Sequence, residues 1–242
     1  MSELTLQRIA TYSGDFPTKF GIPRQSGLAP SARGTIVFEP AFRDVNALRG
    51  IEGFSHLWLL WGFSAIEKRD AFSPMVKPPR LGGNRRMGVF ATRSPFRPNP
   101  IGLSTVRLLG TEARPRVGTV LLVAGADLMD GTPIYDIKPY LPFADSHPNA
   151  VGGFSDAHLG DTLEVAFPNE LLKRIPKEKR AALCEALSAD PRPAYRDDPE
   201  ELFGFWYAGW DVRFTVEDGV LTVRELVSAR EGEPWQEGKT KN

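Results

Sequence analysis

Thr119-Val120-Leu121-Leu122-Val123-Ala124 and Pro133-Ile134-Tyr135-Asp136-Ile137 are two runs of strand length, joined by a connector rich in Gly and Asp. The first is apolar and β-rich in composition; the second opens on a proline, which suits a strand start but not a helix interior. Working outward, similar short runs recur at Leu4 to Tyr12, Gly34 to Phe38, His56 to Phe63, Met87 to Thr92, Leu103 to Leu109 and Asp161 to Phe167. Among them only Arg43 to Arg49 reads as helical. Strands this short and numerous argue against alternating βαβ units and for an antiparallel barrel or sandwich over the first 165 or so residues. If Pro133 to Ile137 is extended, Ile134, Asp136 and Lys138 share one face, and Asp136 and Lys138 are neighbours able to form an ion pair.

Composition changes after that. Asn169 to Ser188 carries Leu171, Leu172, Ile175, Leu183 and Leu187 among charged residues and Ala, the pattern of one amphipathic helix despite Pro176. Phe205 to Val216 and Val220 to Val227 flank Asp218-Gly219, a hairpin signal. The expected organisation is a mainly β chain, with residues 1–167 as one β-rich domain and residues 168–242 as a small α+β appendage. Residues after Arg230 are polar and expected to fray.

The chain has 242 residues, 41% hydrophobic and 25% charged, ordinary values for burying a sizeable core. No run approaches the roughly 18 apolar residues that span a bilayer, and Met1 to Tyr12 does not read as a leader, so a cytoplasmic protein is expected. Cys184 is the single cysteine, and His56, His147 and His158 lack ligand spacing, so no metal is expected. Net charge is zero but unevenly spread. Lys68 to Arg116 holds eleven Lys or Arg against two acids, whereas twelve acids and seven bases follow from Asp190 onward. A basic segment of this kind suits a polyanion such as nucleic acid.

Within it, Arg93-Ser94-Pro95-Phe96-Arg97-Pro98-Asn99-Pro100-Ile101-Gly102 cannot be a central strand. Its prolines stiffen the loop and hold Arg93, Arg97 and Asn99 in defined directions. Asp127 to Tyr140 packs three carboxylates and a lysine into one stretch, with Asp130 before a glycine turn. Lys19 to Leu28 and Arg80 to Arg86 are further Gly-punctuated loops, and neither makes a dinucleotide fingerprint, a Walker sequence or a nucleophile elbow.

Phe20-Gly21-Ile22-Pro23-Arg24-Gln25, Gly53-Phe54-Ser55-His56-Leu57-Trp58, Pro78-Pro79-Arg80-Leu81-Gly82-Gly83-Asn84, Met87 through Gly102, Asp127 to Phe143, and Asp190-Pro191-Arg192-Pro193-Ala194-Tyr195 together closely resemble the TrmO (TsaA-like) family of tRNA methyltransferases. The resemblance implies a β-barrel, not a Rossmann sheet. It implies S-adenosyl-L-methionine as cofactor and N6 of the threonylcarbamoyl-modified adenosine beside the anticodon, classically in threonine tRNA, as the target. It also implies a homodimer with cofactor near the interface. Carried over position by position, the cofactor-binding residues are Pro23, Arg24, Gln25, Ser64, Ala65, Arg93, Leu103, Asp127, Leu128, Met129 and Asp130. Ser64 stands where relatives often have histidine.

For the chemistry, an amine whose lone pair is delocalised needs alignment and an acceptor for its proton. Asp136 and Asn99, with Asp130, are the expected catalytic residues. Arg80, Arg85, Arg86, Arg97, Phe96, Lys138 and Tyr140 are expected to meet the RNA through stacking and phosphate contacts, with Lys77 among the phosphate-facing neighbours. The competing readings are a non-catalytic RNA-binding barrel and a methyltransferase acting on a small molecule.

Overall fold

A computed structural model describes residues 4–66, 71–78, 85–158, 160–193 and 198–229. Six strands, β1 (Ala10–Ser13), β2 (Arg33–Phe38), β3 (His56–Gly62), β6 (Ile101–Arg114), β7 (Gly118–Ala124) and β8 (Pro133–Pro139), close into a ring in the order β1-β2-β7-β6-β3-β8. Every neighbouring pair is antiparallel. Closure removes sheet edges, and it answers the choice between barrel and sandwich in favour of a closed ring. A two-stranded ribbon of β4 (Met75–Val76) and β5 (Met87–Gly88) leads into the ring. The run expected as a strand from Met87 to Thr92 turns instead at Val89–Ala91, and Arg43 to Arg49 holds only a 3-10 turn at Val45–Leu48.

The ring's interior follows period-two alternation. On β6, Gly102, Ser104 and Val106 are buried while Ile101, Leu103 and Arg107 face out. Of these, Val106 joins Tyr12, Ile36, Leu57, Leu59, Trp61, Leu121, Val123, Leu128 and Ile134 in one core. Strand β8 breaks the expected phase. Leu60 pairs with Asp136 but Trp61 pairs with Ile134, so Tyr135 is an extra residue in a bulge. Ile134 therefore points into the core while Asp136 and Lys138 face out, correcting the expectation that all three share a face.

A second core lies under a four-stranded sheet, β10 (Phe203–Tyr207), β11 (Trp210–Glu217), β12 (Val220–Ser228) and β9 (Glu164–Ala166), with β9 parallel to β12. Asp218 and Gly219 both have positive φ, as the hairpin signal requires, and Ala208 with Gly209 forms a second such turn that splits the run expected as one strand. The expected single helix is two: α2 (Asn169–Leu172) and α3 (Lys177–Ser188). Pro176, lacking an N–H, sits at the N-cap of α3 rather than inside a continuous helix. A four-residue helix, α1 (Pro142–Asp145), follows β8.

The two cores are stitched by the segment between β1 and β2, whose Phe16, Ala29 and Ala32 are buried with Leu183, Leu187 and Phe205. Ser31 donates backbone and hydroxyl hydrogens to the Glu185 carboxylate at 2.8 and 2.6 Å. Cys184 is half-buried, and burial, followed by the Glu185 charge, pushes its thiol above the ordinary range. No helix among the described residues is long and apolar enough to cross a membrane. The tail after Arg230, expected to fray, lies outside the described residues.

Candidate active site at one end of the ring

Four connections meet at one end of the ring: residues 14–32 after β1, 63–66 after β3, 92–100 before β6, and 125–132 between β7 and β8. Backbone hydrogen bonds tie them together. Gly27 N–H donates to Gly125 O at 2.8 Å, Asp130 N–H to Phe16 O at 2.8 Å, and Phe63 N–H to Pro100 O at 3.3 Å. Tyr12 lies beneath, its ring so close to Gly14 and Gly34 that a Cβ at either would come within 3 Å of it. Burial, then the charges of Asp15, Asp127 and Asp130, holds its phenol protonated far above neutral pH.

Asp127 is the centre of this end. The Ser104 hydroxyl donates to its Oδ1 at 2.6 Å, and Trp61 Nε1–H donates to the Ser104 hydroxyl at 3.0 Å. Gly102 makes room for the indole, because a Cβ there would lie 2.2 Å from Trp61. Desolvation raises the Asp127 carboxyl above the ordinary aspartate value; the Ser104 hydrogen bond, backbone N–H groups including that of Ser26, and the Arg93 charge oppose it. A carboxylate that is shielded, hydrogen-bonded and near a cationic side chain in a loop cluster is a candidate functional group. The exposed Arg93 donates in turn to Gln25 Oε1, which brings two residues far apart in sequence into contact.

Arg24 plays another part. One of its terminal nitrogens donates to Asp190 O at 3.0 Å and to Arg192 O at 2.8 Å, just past α3, while Gln25 Nε2 donates to the Arg24 carbonyl. Its guanidinium faces the C-terminal unit, and Pro23 beside it is buried. The segment after α3 thereby holds the loop that presents Gln25 to Arg93. Arg24→Met removes charged donors from two carbonyls and is expected to lower stability by about 1.5–3 kcal/mol in denaturant unfolding. It is also expected to raise the apparent KM for cofactor several-fold.

The remaining expected site residues divide between places. Leu128 is core; the Met129 carbonyl accepts from Thr132, and Asp130 Oδ1 accepts from Gly14 N–H at 3.0 Å while the residue stays exposed. Ser64 and Ala65 form an exposed turn after β3, and Asn99 is exposed, its backbone carbonyl accepting from Ile101 N–H. Leu103 faces outward from β6. Arg97 turns one terminal nitrogen onto the Thr92 and Ser94 carbonyls, bracing the proline loop, and Phe96 is 38% exposed. Asp136 Oδ2 pairs with Lys138 at 2.7 Å and its Oδ1 accepts from Ile137 N–H. Tyr140 packs between His56 and Trp58 at the opposite end of β3, five residues or roughly 16 Å of strand from Trp61. The Asp127 to Tyr140 stretch is therefore not one site but runs from one end of the ring to the other. Arg85 and Arg86 are exposed; Arg80 lies outside the described residues.

Trp61, Ser104 and Tyr12 were not singled out from sequence. The signal that identifies Ser104 is its phase: a hydroxyl on β6 between the inward positions Gly102 and Val106 needs a buried partner.

Residues 11–146 match the model of the tRNA-methyltransferase O N-terminal domain, and residues 160–229 that of the TrmO C-terminal domain. The chain is 41% identical over 234 residues to the tRNA (adenine(37)-N6)-methyltransferase of Escherichia coli K12, covering 93% of this chain and 99% of that one. It is 46% identical over 180 residues to the enzyme of the same name from Eikenella corrodens, covering 74% and 99%. A crystal structure of TrmO from Pseudomonas aeruginosa superposes with a TM-score of 0.75 at 33% identity, covering 94% of this chain and 99% of that one. On these matches the chain belongs to the TrmO family of tRNA methyltransferases.

Proposed function

We propose that this protein methylates N6 of adenosine 37 in tRNA with S-adenosylmethionine, at the loop end of the ring. The observation that carries the reading is the Trp61–Ser104–Asp127 relay, facing Arg93 and Gln25 in a chain that covers its tRNA-methylating relatives almost end to end. The residues present fit the cofactor. S-adenosylmethionine has an ammonium and ribose hydroxyls that need an acceptor, which Asp127 offers, and a carboxylate that Arg93 and the Gln25 amide complement. When bound, it supplies an activated methyl group on a sulfonium with a good leaving group.

The protein's own work is positioning and proton management. The proline loop, braced by Arg97, and the 125–132 loop, bonded to residues 12–16, provide a stiff frame in which an amine is held in line. As a bond forms at N6, that nitrogen becomes acidic, and a nearby oxygen must hold its proton. Asp130 and Asn99 stand at this end; Asp136 has one oxygen in its ion pair and the other on Ile137, which favours Asp130 over it for this role. The reading extends to an adenosine already carrying the threonylcarbamoyl group, in threonine tRNA, to a homodimer joined through outward apolar residues such as Leu103, and to the cytoplasm as the site of action. The basic segment from Lys68 to Arg116 supports an RNA substrate over a small molecule.

Arg85→Ala with Arg86→Ala is expected to weaken tRNA binding and lower its salt slope by about 2, checked by titration across salt concentrations, with cofactor affinity unchanged. The activity is tested by incubating pure protein with S-adenosylmethionine and threonine tRNA, then digesting the RNA for nucleoside mass spectrometry. A new methyl group on the base at position 37 is the expected result. Tight binding of both partners with no methyl transfer would favour the non-catalytic RNA-binding reading.

A further inference from the structure

Phe72 and Phe90 are 57% and 73% exposed, yet their rings stack, with centroids 6.2 Å apart and planes 26° from parallel. The β4–β5 ribbon brings them together: Met75 pairs with Gly88, Val76 with Met87, and Val89 N–H donates to Pro74 O at 2.9 Å. After Phe90 the turn is closed by Thr92, whose N–H and hydroxyl both donate to the Val89 carbonyl, and the chain passes straight into the proline loop through Arg93. Two large rings held together at the surface form an apolar patch of the kind that marks interaction sites.

The surrounding charge says what kind. From Ala71 through Thr111 the chain carries seven Lys or Arg and not one Asp or Glu, and Lys77, Arg85 and Arg86 on this ribbon are exposed. An apolar protein face laid on the rings would desolvate those cations without pairing them, at a large penalty. A single-stranded polynucleotide satisfies both features, because its bases offer flat π faces and its phosphates offer counter-charge.

We infer that Phe72 and Phe90 form a stacking platform for an unpaired base of the RNA substrate, adjacent to the loop that carries Arg93. The assignment rests on the reading of tRNA as substrate. It makes the ribbon an affinity element distinct from the Asp127 relay: the platform grips a splayed loop base whatever its identity, while the arginines hold the backbone.

The test uses the full-length protein and a synthetic anticodon stem-loop. Phe90→Ala is expected to weaken binding about tenfold by fluorescence anisotropy, the order expected for one lost base stack. Phe90→Leu, apolar but without a π face, should weaken it similarly, and Phe90→Trp should restore it. S-adenosylhomocysteine binding by calorimetry and the salt slope of RNA binding should stay at wild-type values. Unchanged RNA affinity in Phe90→Ala, with the wild type binding normally, would overturn the platform and leave the tRNA reading intact. Loss of affinity in step with a smaller sedimenting species would overturn it in favour of a contact between copies of the chain. A wild type that fails to bind the stem-loop would overturn both.

Discussion

Asp127→Ala should reduce methyl transfer about ten- to a hundredfold while leaving a folded protein. The carboxylate is the acceptor around which Ser104, Trp61, Ser26 and Arg93 are arranged. Removing a charged partner from hydrogen bonds to a ligand costs about 1.5–3 kcal/mol, and the buried Ser104 hydroxyl loses its acceptor at the same time. Asp127→Asn separates the two effects. It keeps an acceptor for Ser104 but removes the charge, so activity should fall nearly as far while the fold becomes more stable. Because burial raises the folded-state pKa of Asp127, the folded protein holds this proton more tightly than the unfolded chain does. Its ionisation therefore subtracts stability as pH rises from the ordinary aspartate value of 3.8 through the raised one, and the penalty is absent below 3.8. Melting temperatures of Asp127→Asn should exceed wild type at neutral pH and converge with it in acid.

Gly102→Ala should be nearly as damaging by a different route. The added methyl would lie 2.2 Å from the Trp61 indole, which is itself packed against Phe63 with ring centroids 4.4 Å apart. Overpacking of this kind costs about 1–3 kcal/mol. The indole has to move, which breaks its 3.0 Å hydrogen bond to Ser104 and loosens the seat of Asp127. Both stability in denaturant and cofactor affinity are expected to fall. Thr105→Ala on the neighbouring outward-phase position should leave both near wild type, which makes it the control.

The strands of the ring were legible because strand signals are local, whereas their closure into a barrel rather than a sandwich came only from the family resemblance. Short alternating runs at Gly34 to Phe38, His56 to Phe63 and Thr119 to Ala124 each appear within a residue or two of the observed elements. What escaped depends on distant partners. The bulge at Tyr135 exists because β8 must register with both Leu60 and Trp61 on β3, and nothing in Pro133 to Lys138 alone announces it. The split of the long helix was readable in Pro176 and was overridden by the amphipathic pattern around it. Ala208 hides its turn because a residue with a side chain takes the positive φ usually left to Gly or Asn.

The site followed the same division. Arg93 and Asp127 announce themselves as polar residues in stiff or turn-rich loops, and the structure brings them together with Gln25. Ser104 and Trp61 sit in ordinary strand sequence, and only pairing of Trp61 with Gly102 across β3 and β6 turns them into the support of a carboxylate. Arg24 and Tyr140 carry side chains suited to ligand contact; the first also donates to the carbonyls after α3, and the second packs in an aromatic row at the far end of the ring.

The most direct test is a crystal structure with S-adenosylhomocysteine bound. The ligand should lie at the loop end of the ring, within hydrogen-bonding distance of Asp127 and of Arg93 or Gln25. Ligand density at the His56 and Tyr140 end instead, with the Asp127 carboxylate contacting only protein, would contradict the assignment of the site.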